Sequence, residues 1–116
     1  NLQEANKKPQ TIVLKTTETI HIVKISDIIR CEADNNYTNF YLTSGERIMV
    51  SNTLREYDKL LSENNFIRVH NSHLVNISEI RKFEKHISGC LIMSDNSSVP
   101  VSIRKKESVM QLLKNI

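Results

Sequence analysis

Glycine is scarce in this sequence: two residues in 116, far apart, leave nothing from which to build a glycine-rich phosphate loop. The two cysteines form no CxxC pair, so neither a zinc knuckle nor a dithiol redox centre is available. His70 and His73 make an H-x-x-H, but in an extended segment positions i and i+3 point to opposite faces and cannot chelate one ion. Ser72 lies between these histidines, yet there is no G-x-S-x-G elbow and no orienting acid beside it. No apolar run approaches the ~20 residues of a membrane span, and no signal peptide is visible. Aromatic residues are 5% of the chain, and Tyr37 and Tyr41 alternate with core positions rather than forming a stacking platform for single strands. These absences argue against an enzyme, a metal site, a cofactor and a membrane partner.

What remains is an ordinary globular composition, 39% hydrophobic and 25% charged, of a size for one domain. The chain opens on Asn1 rather than Met and is expected to be a piece of a longer polypeptide. Cys31 and Cys90 each sit in an apolar strand-like run, which predicts buried free thiols and a reducing, cytoplasmic setting. The net charge of +3 is unevenly spread. Residues 1 to 65 carry eight Lys/Arg against nine Asp/Glu, whereas residues 66 to 116 carry eight against four and three of the four histidines. A basic half of this kind is an electrostatic footprint for nucleic acid, although surface lysines are usually just solvated.

Residues 1 to 10 are polar, without periodicity, and read as the end of a linker ahead of a domain at 11 to 116. Short alternating runs follow at 11–15, 20–25, 28–33, 37–42 and 47–50, separated by turn residues, which predicts an antiparallel β core. Thr53 and Glu56 have the spacing of a capping box, in which each side chain would satisfy the other residue's free amide. Leu54, Tyr57, Leu60 and Leu61 then recur at helical spacing as a core stripe, and Asn64-Asn65 ends the helix. Strands are expected again at 80–86, 89–93 and 98–101. A helix from about Arg104 to Asn115 should pack Val109, Leu112, Leu113 and Ile116 on one face.

The densest information lies in Phe66-Ile67-Arg68-Val69-His70-Asn71-Ser72-His73-Leu74-Val75-Asn76-Ile77. Four consecutive hydrogen-bonding side chains, His70 to His73, stand between apolar flanks, and there is no carboxylate in the stretch. Donors without an acid to neutralise them suit an anionic partner, and Arg68 and Asn71 are side-chain types that read base edges. A second segment points the same way. Arg104-Lys105-Lys106 opens the last helix, where the macrodipole disfavours cations. That conflict resolves if the cations and the free helix-start amides, next to a capping Ser102, together receive a phosphate.

These two segments, with Glu32-x-x-x-Asn36-Tyr37, Phe66-x-Arg68-x-His70-Asn71-Ser72-x-Leu74-Val75-Asn76 and Pro100-Val101-Ser102-x-Arg104, resemble the LytTR family of bacterial DNA-binding domains over roughly residues 11 to 114. The resemblance implies a mainly β fold: an elongated arrangement of small antiparallel sheets with one short internal helix and a C-terminal helix. It implies DNA read by loops, in the output half of a two-component response regulator whose receiver domain is absent from this chain. It also implies paired direct repeats in promoters, occupied by two copies. Base-reading positions would map onto Asn71 and Arg104, and onto Thr38 and Asn39. Asn71 stands where the family most often has Arg, and Ile103 replaces the first of a frequent Arg pair, so the preferred bases would differ.

The expectation is therefore a sequence-specific duplex-DNA-binding domain of a transcriptional regulator, without catalysis. Asn71 would bond adenine and Arg104 guanine. Lys82, Lys85, Lys105 and Lys106 would sit near phosphates, while His70 and Ser72 shape the loop. The competing reading is a β-rich RNA-binding or protein-interaction module whose basic half meets an acidic partner.

Overall fold

A computed structural model describes residues 10–85 and 89–115. Among them the chain forms β1 (Thr11–Lys15), β2 (Ile20–Lys24), β3 (Ile28–Asp34), β4 (Tyr37–Leu42) and β5 (Arg47–Val50), then helix α1 (Arg55–Ser62). The second half contributes β6 (Phe66–His70), β7 (His73–Asn76), β8 (Ile80–Glu84), β9 (Cys90–Met93), β10 (Ser98–Pro100) and helix α2 (Ile103–Lys114). The strands make a two-stranded sheet β1-β2, a five-stranded sheet β5-β4-β3-β7-β6 and a three-stranded sheet β10-β9-β8. Every pairing is antiparallel. The mainly β expectation, with small antiparallel sheets and two helices, holds. The expected strand 80–86 stops at Glu84; His86, Ile116 and residues 1–9 of the expected linker lie outside the described residues.

Turn chemistry sets the hairpins. Asn35 (φ 57°) and Asn96 (φ 68°) occupy the left-handed region at the β3–β4 and β9–β10 reversals, which asparagine tolerates better than most residues. Asn65 (φ 71°) takes the same region in the turn from α1 into β6. At the start of α1 the capping box is half formed. The Glu56 carboxylate accepts from the Thr53 amide at 3.0 Å, but the Thr53 hydroxyl donates to that carboxylate instead of capping. The Glu56 amide bonds the Thr53 carbonyl at 3.1 Å.

Two apolar clusters sit on opposite faces of the five-stranded sheet's inner strands. One joins Leu14, Ile28, Phe40 and Leu74 to the α1 stripe of Leu54, Tyr57, Leu60 and Leu61. The other joins Val69 and Val75 to Leu91, Met93 and Val99 of the three-stranded sheet and to Val109 of α2. Successive residues of a strand face opposite ways, so Leu74 and Val75 anchor β7 in both clusters at once. All four residues of β7 are consequently buried. Asn76 is among them because its amide is satisfied inside: Nδ2 donates to the Ile28 carbonyl at 2.9 Å and Oδ1 accepts from the Ser78 amide at 3.0 Å.

Both cysteines are free. Cys31 is buried as expected, and burial pushes its thiol far above the usual range. Cys90 is only half-buried, a correction to the expectation, because on β9 it alternates with the buried Leu91 and Met93 and lies on the other face.

Candidate nucleic-acid interface

The segment 66–77 folds as the hairpin β6–β7 closed by Asn71-Ser72, with His70 paired opposite His73. The chain reverses between the two histidines, so their rings meet edge to face at 5.4 Å instead of pointing apart. His70 and His73 therefore face each other across the reversal, not opposite sides of an extended segment. Among the described residues no group of three or more His, Cys, Asp and Glu side chains comes together to hold a metal.

The turn is tied down on several sides. The Ser72 amide donates to His70 Nδ1 at 3.1 Å, so the imidazole closes the turn as an acceptor. The Ser72 carbonyl accepts from the Ala33 amide of β3 at 2.9 Å. Arg68 Nε donates to the His70 carbonyl at 3.0 Å, its Nη2 donates to the Asn71 carbonyl, and its Nη1 meets Asp58 of α1 at 2.7 Å. His73 is 9% exposed. Burial, reinforced by His70 and Arg30 and opposed by Glu32, holds its pKa below the usual value. It is thus neutral near pH 7 and adds no charge to the surface. Asn71 itself is exposed.

The second basic segment is brought to this turn by one backbone bond. The Ser102 amide donates to the Val69 carbonyl of β6 at 2.9 Å, so α2 begins beside the hairpin end. Ser102 occupies the N-cap with extended dihedrals, yet its hydroxyl makes no capping bond, and the first turn carries no acid. Asn71, Arg104, Lys105, Ser102, His70 and Arg68 consequently line one open cleft of about 580 Å³, with Arg55 and Asp58 of α1 on the facing wall. Among the described residues Arg55, Arg104, Lys105 and Lys106 have no carboxylate partner. Free cations and orphan amides around an exposed amide side chain form a concavity suited to a polyanion.

Not every expected site residue reaches it. Thr38 is fully buried, its hydroxyl donating to the Asn52 carbonyl at 2.8 Å. Asn39 is 4% exposed, flanked across the sheet by Met49 and Glu32. Both side chains are buried within the fold, and neither lines the cleft. Arg68 is likewise occupied by its three partners and is not a free reader. Lys82 lies on β8 with its Nζ 3.6 Å from Glu84, and Lys85 is exposed just beyond that strand; neither lines the cleft. Arg55 and Asp58 were not singled out by motif. Their signal was positional: with Ser62 they fall at helical spacing on a face adjacent to the apolar stripe.

The LytTr DNA-binding domain family model matches residues 18–114. The sensory transduction protein LytT of Bacillus subtilis is 32% identical over 113 residues, which are 96% of this chain and 46% of that protein. LytR of Staphylococcus saprophyticus and the CO-responsive transcriptional regulator RcoM of Rhodospirillum rubrum are each 31% identical over 81 residues, 70% of this chain. Those residues are 32% and 34% of the respective relatives, so the chain spans less than half the length of each of the three. A solved LytTr DNA-binding domain from Bacillus cereus superposes with a TM-score of 0.77 at 28% identity, covering 90% of this chain and 97% of that one.

Proposed function

The chain belongs to the LytTr DNA-binding domain family, and from that premise we propose that it reads specific sequence in duplex DNA with the cleft between the β6–β7 turn and the start of α2. The observation that carries this reading is the meeting of Asn71 and Arg104, distant in sequence, on one basic concavity. Asn71 bonds a base edge, most naturally the N6/N7 pair of adenine, and Arg104 addresses O6/N7 of guanine. Lys105, Lys106 and Arg55 contact phosphates and fix the register. His70 and Ser72 hold the turn that presents Asn71. Lys82 and Lys85 contribute longer-range attraction from outside the cleft. No step of this function is catalytic, and it requires no cofactor.

The domain is taken as residues 11–116, the output part of a bacterial two-component regulator acting in the cytoplasm, with a receiver supplied elsewhere in the polypeptide. Among the described residues no helix is long and apolar enough to cross a membrane. An RNA or protein partner is the alternative that the same basic cleft must be tested against.

Binding to duplex and single-stranded probes of equal length at several salt concentrations makes that test. Duplex should win, with a log–log slope near −0.9 for each phosphate engaged. Replacing Lys105 and Lys106 together by Ala should weaken all duplexes alike and flatten the slope by about 1.8. An unchanged slope would remove the start of α2 from the phosphate backbone.

A single cleft with two reading side chains supplies roughly 2–6 kcal/mol of discrimination, at or below the ~4–10 kcal/mol between specific and random sites. Two copies on tandem direct repeats remedy the shortfall. The isolated domain should therefore be monomeric, bind one repeat weakly and load twice on two correctly spaced repeats. Native mass spectrometry of one-repeat and two-repeat duplexes reads this directly; a tight dimer without DNA, or one copy saturating two repeats, contradicts it.

A further inference from the structure

We infer that Arg68 and Asp58 are positioning residues for base reading: a half-buried brace from α1 that sets the Asn71-Ser72 turn, rather than contacts to DNA. The inference rests on the reading of Asn71 proposed above, and adds to it a dependence on a helix outside the signature segment.

Two-residue hairpin turns favour types I′ and II′, whose twist matches the strands and which take positive φ at both central residues or at the first. The Asn71-Ser72 turn does not: neither residue is among those with positive φ. It also follows a register irregularity between Arg68 and His70. Local backbone preference therefore does not hold this turn in the shape seen. Ser72 is held by its amide's bond to His70 and its carbonyl's bond from Ala33, and the Asn71 side of the turn by the guanidinium of Arg68, whose rigid fork donates from Nε to the His70 carbonyl and from Nη2 to the Asn71 carbonyl.

The remaining arm is fixed in turn. Arg68 Nη1 meets Asp58 Oδ2 at 2.7 Å, and Asp58 Oδ1 accepts from the Ser62 hydroxyl at 2.8 Å. Both carboxylate oxygens are engaged, and the two side chains are only 24% and 34% exposed. A guanidinium committed to three acceptors, one of them a carboxylate, has little left to offer a phosphate or a base. Lysine cannot replace it, because a point charge on a flexible stem lacks the fixed fork.

The probe is a duplex selected by the unaltered chain from a random pool, compared with a scrambled duplex of equal length. Asp58→Ala keeps the helix, since Ala is the better helix former. It should lower the preference for the selected duplex roughly tenfold while scrambled-duplex affinity holds or rises, because the cleft becomes more positive. Arg68→Lys should lose preference to a similar degree with the charge retained. In an Asn71→Ala background neither change should lower preference further. Parallel loss on both duplexes, full preference in Arg68→Lys, or an undiminished second loss in the Asn71→Ala background would each overturn the brace.

If Asn71→Ala itself leaves preference intact, the reading of Asn71 has failed, and amide chemical shifts judge the brace separately. Asp58→Ala should then still displace the Asn71 and Ser72 amide resonances, and unmoved resonances would end the inference.

Discussion

Asn71→Ala should lower affinity for the selected duplex by about 1–3 kcal/mol and for random duplex by much less. An asparagine side chain both donates and accepts, so it can engage the two edge atoms of one adenine, and alanine can engage neither. The residue is exposed at the tip of the turn, and the turn's bonds run through its backbone and its neighbours. Thermal unfolding should therefore be little changed. Equal loss on selected and random duplexes would make Asn71 a contact to the phosphate backbone instead. The effect should fall on one base pair of the site, so a second selection with the variant should lose preference there and keep it where Arg104 reads.

Phe40→Ala should destabilise the chain by about 3–5 kcal/mol, a large part of the ~5–15 kcal/mol typical of a domain. Phe40 is fully buried on β4, and its ring meets Tyr57 of α1 edge to face at 4.9 Å. Removing it opens a cavity where the five-stranded sheet seats the helix. A lower urea midpoint at unchanged slope would report the loss as stability alone. Because α1 carries Asp58 and Arg55, the variant should also lose duplex preference at temperatures where it is still folded. Full stability in Phe40→Ala would mean that α1 is held by contacts other than this one.

The residues themselves were enough for the parts of this molecule that depend on neighbours in the chain. Period-two alternation marks the strands, turn residues mark the reversals between them, and the Leu54–Tyr57–Leu61 stripe followed by Asn64-Asn65 marks α1. The signature at 66–76 and the basic start of α2 carried the family resemblance that the comparisons show. Three features escaped because they are non-local. The family resemblance puts Thr38 and Asn39 among the base readers but carries no information on whether their faces are covered, and both are buried on β4. An H-x-x-H in extended chain puts its rings on opposite faces, whereas the reversal at Asn71-Ser72 sets His70 against His73. The union of Asn71 with Arg104, and of both with Asp58 and Arg55, depends on how two apolar clusters clamp β7 and stack α1 and α2 at one end of the same hairpin. Sequence determined which side chains were offered; packing on both faces of one strand decided which of them share a cleft.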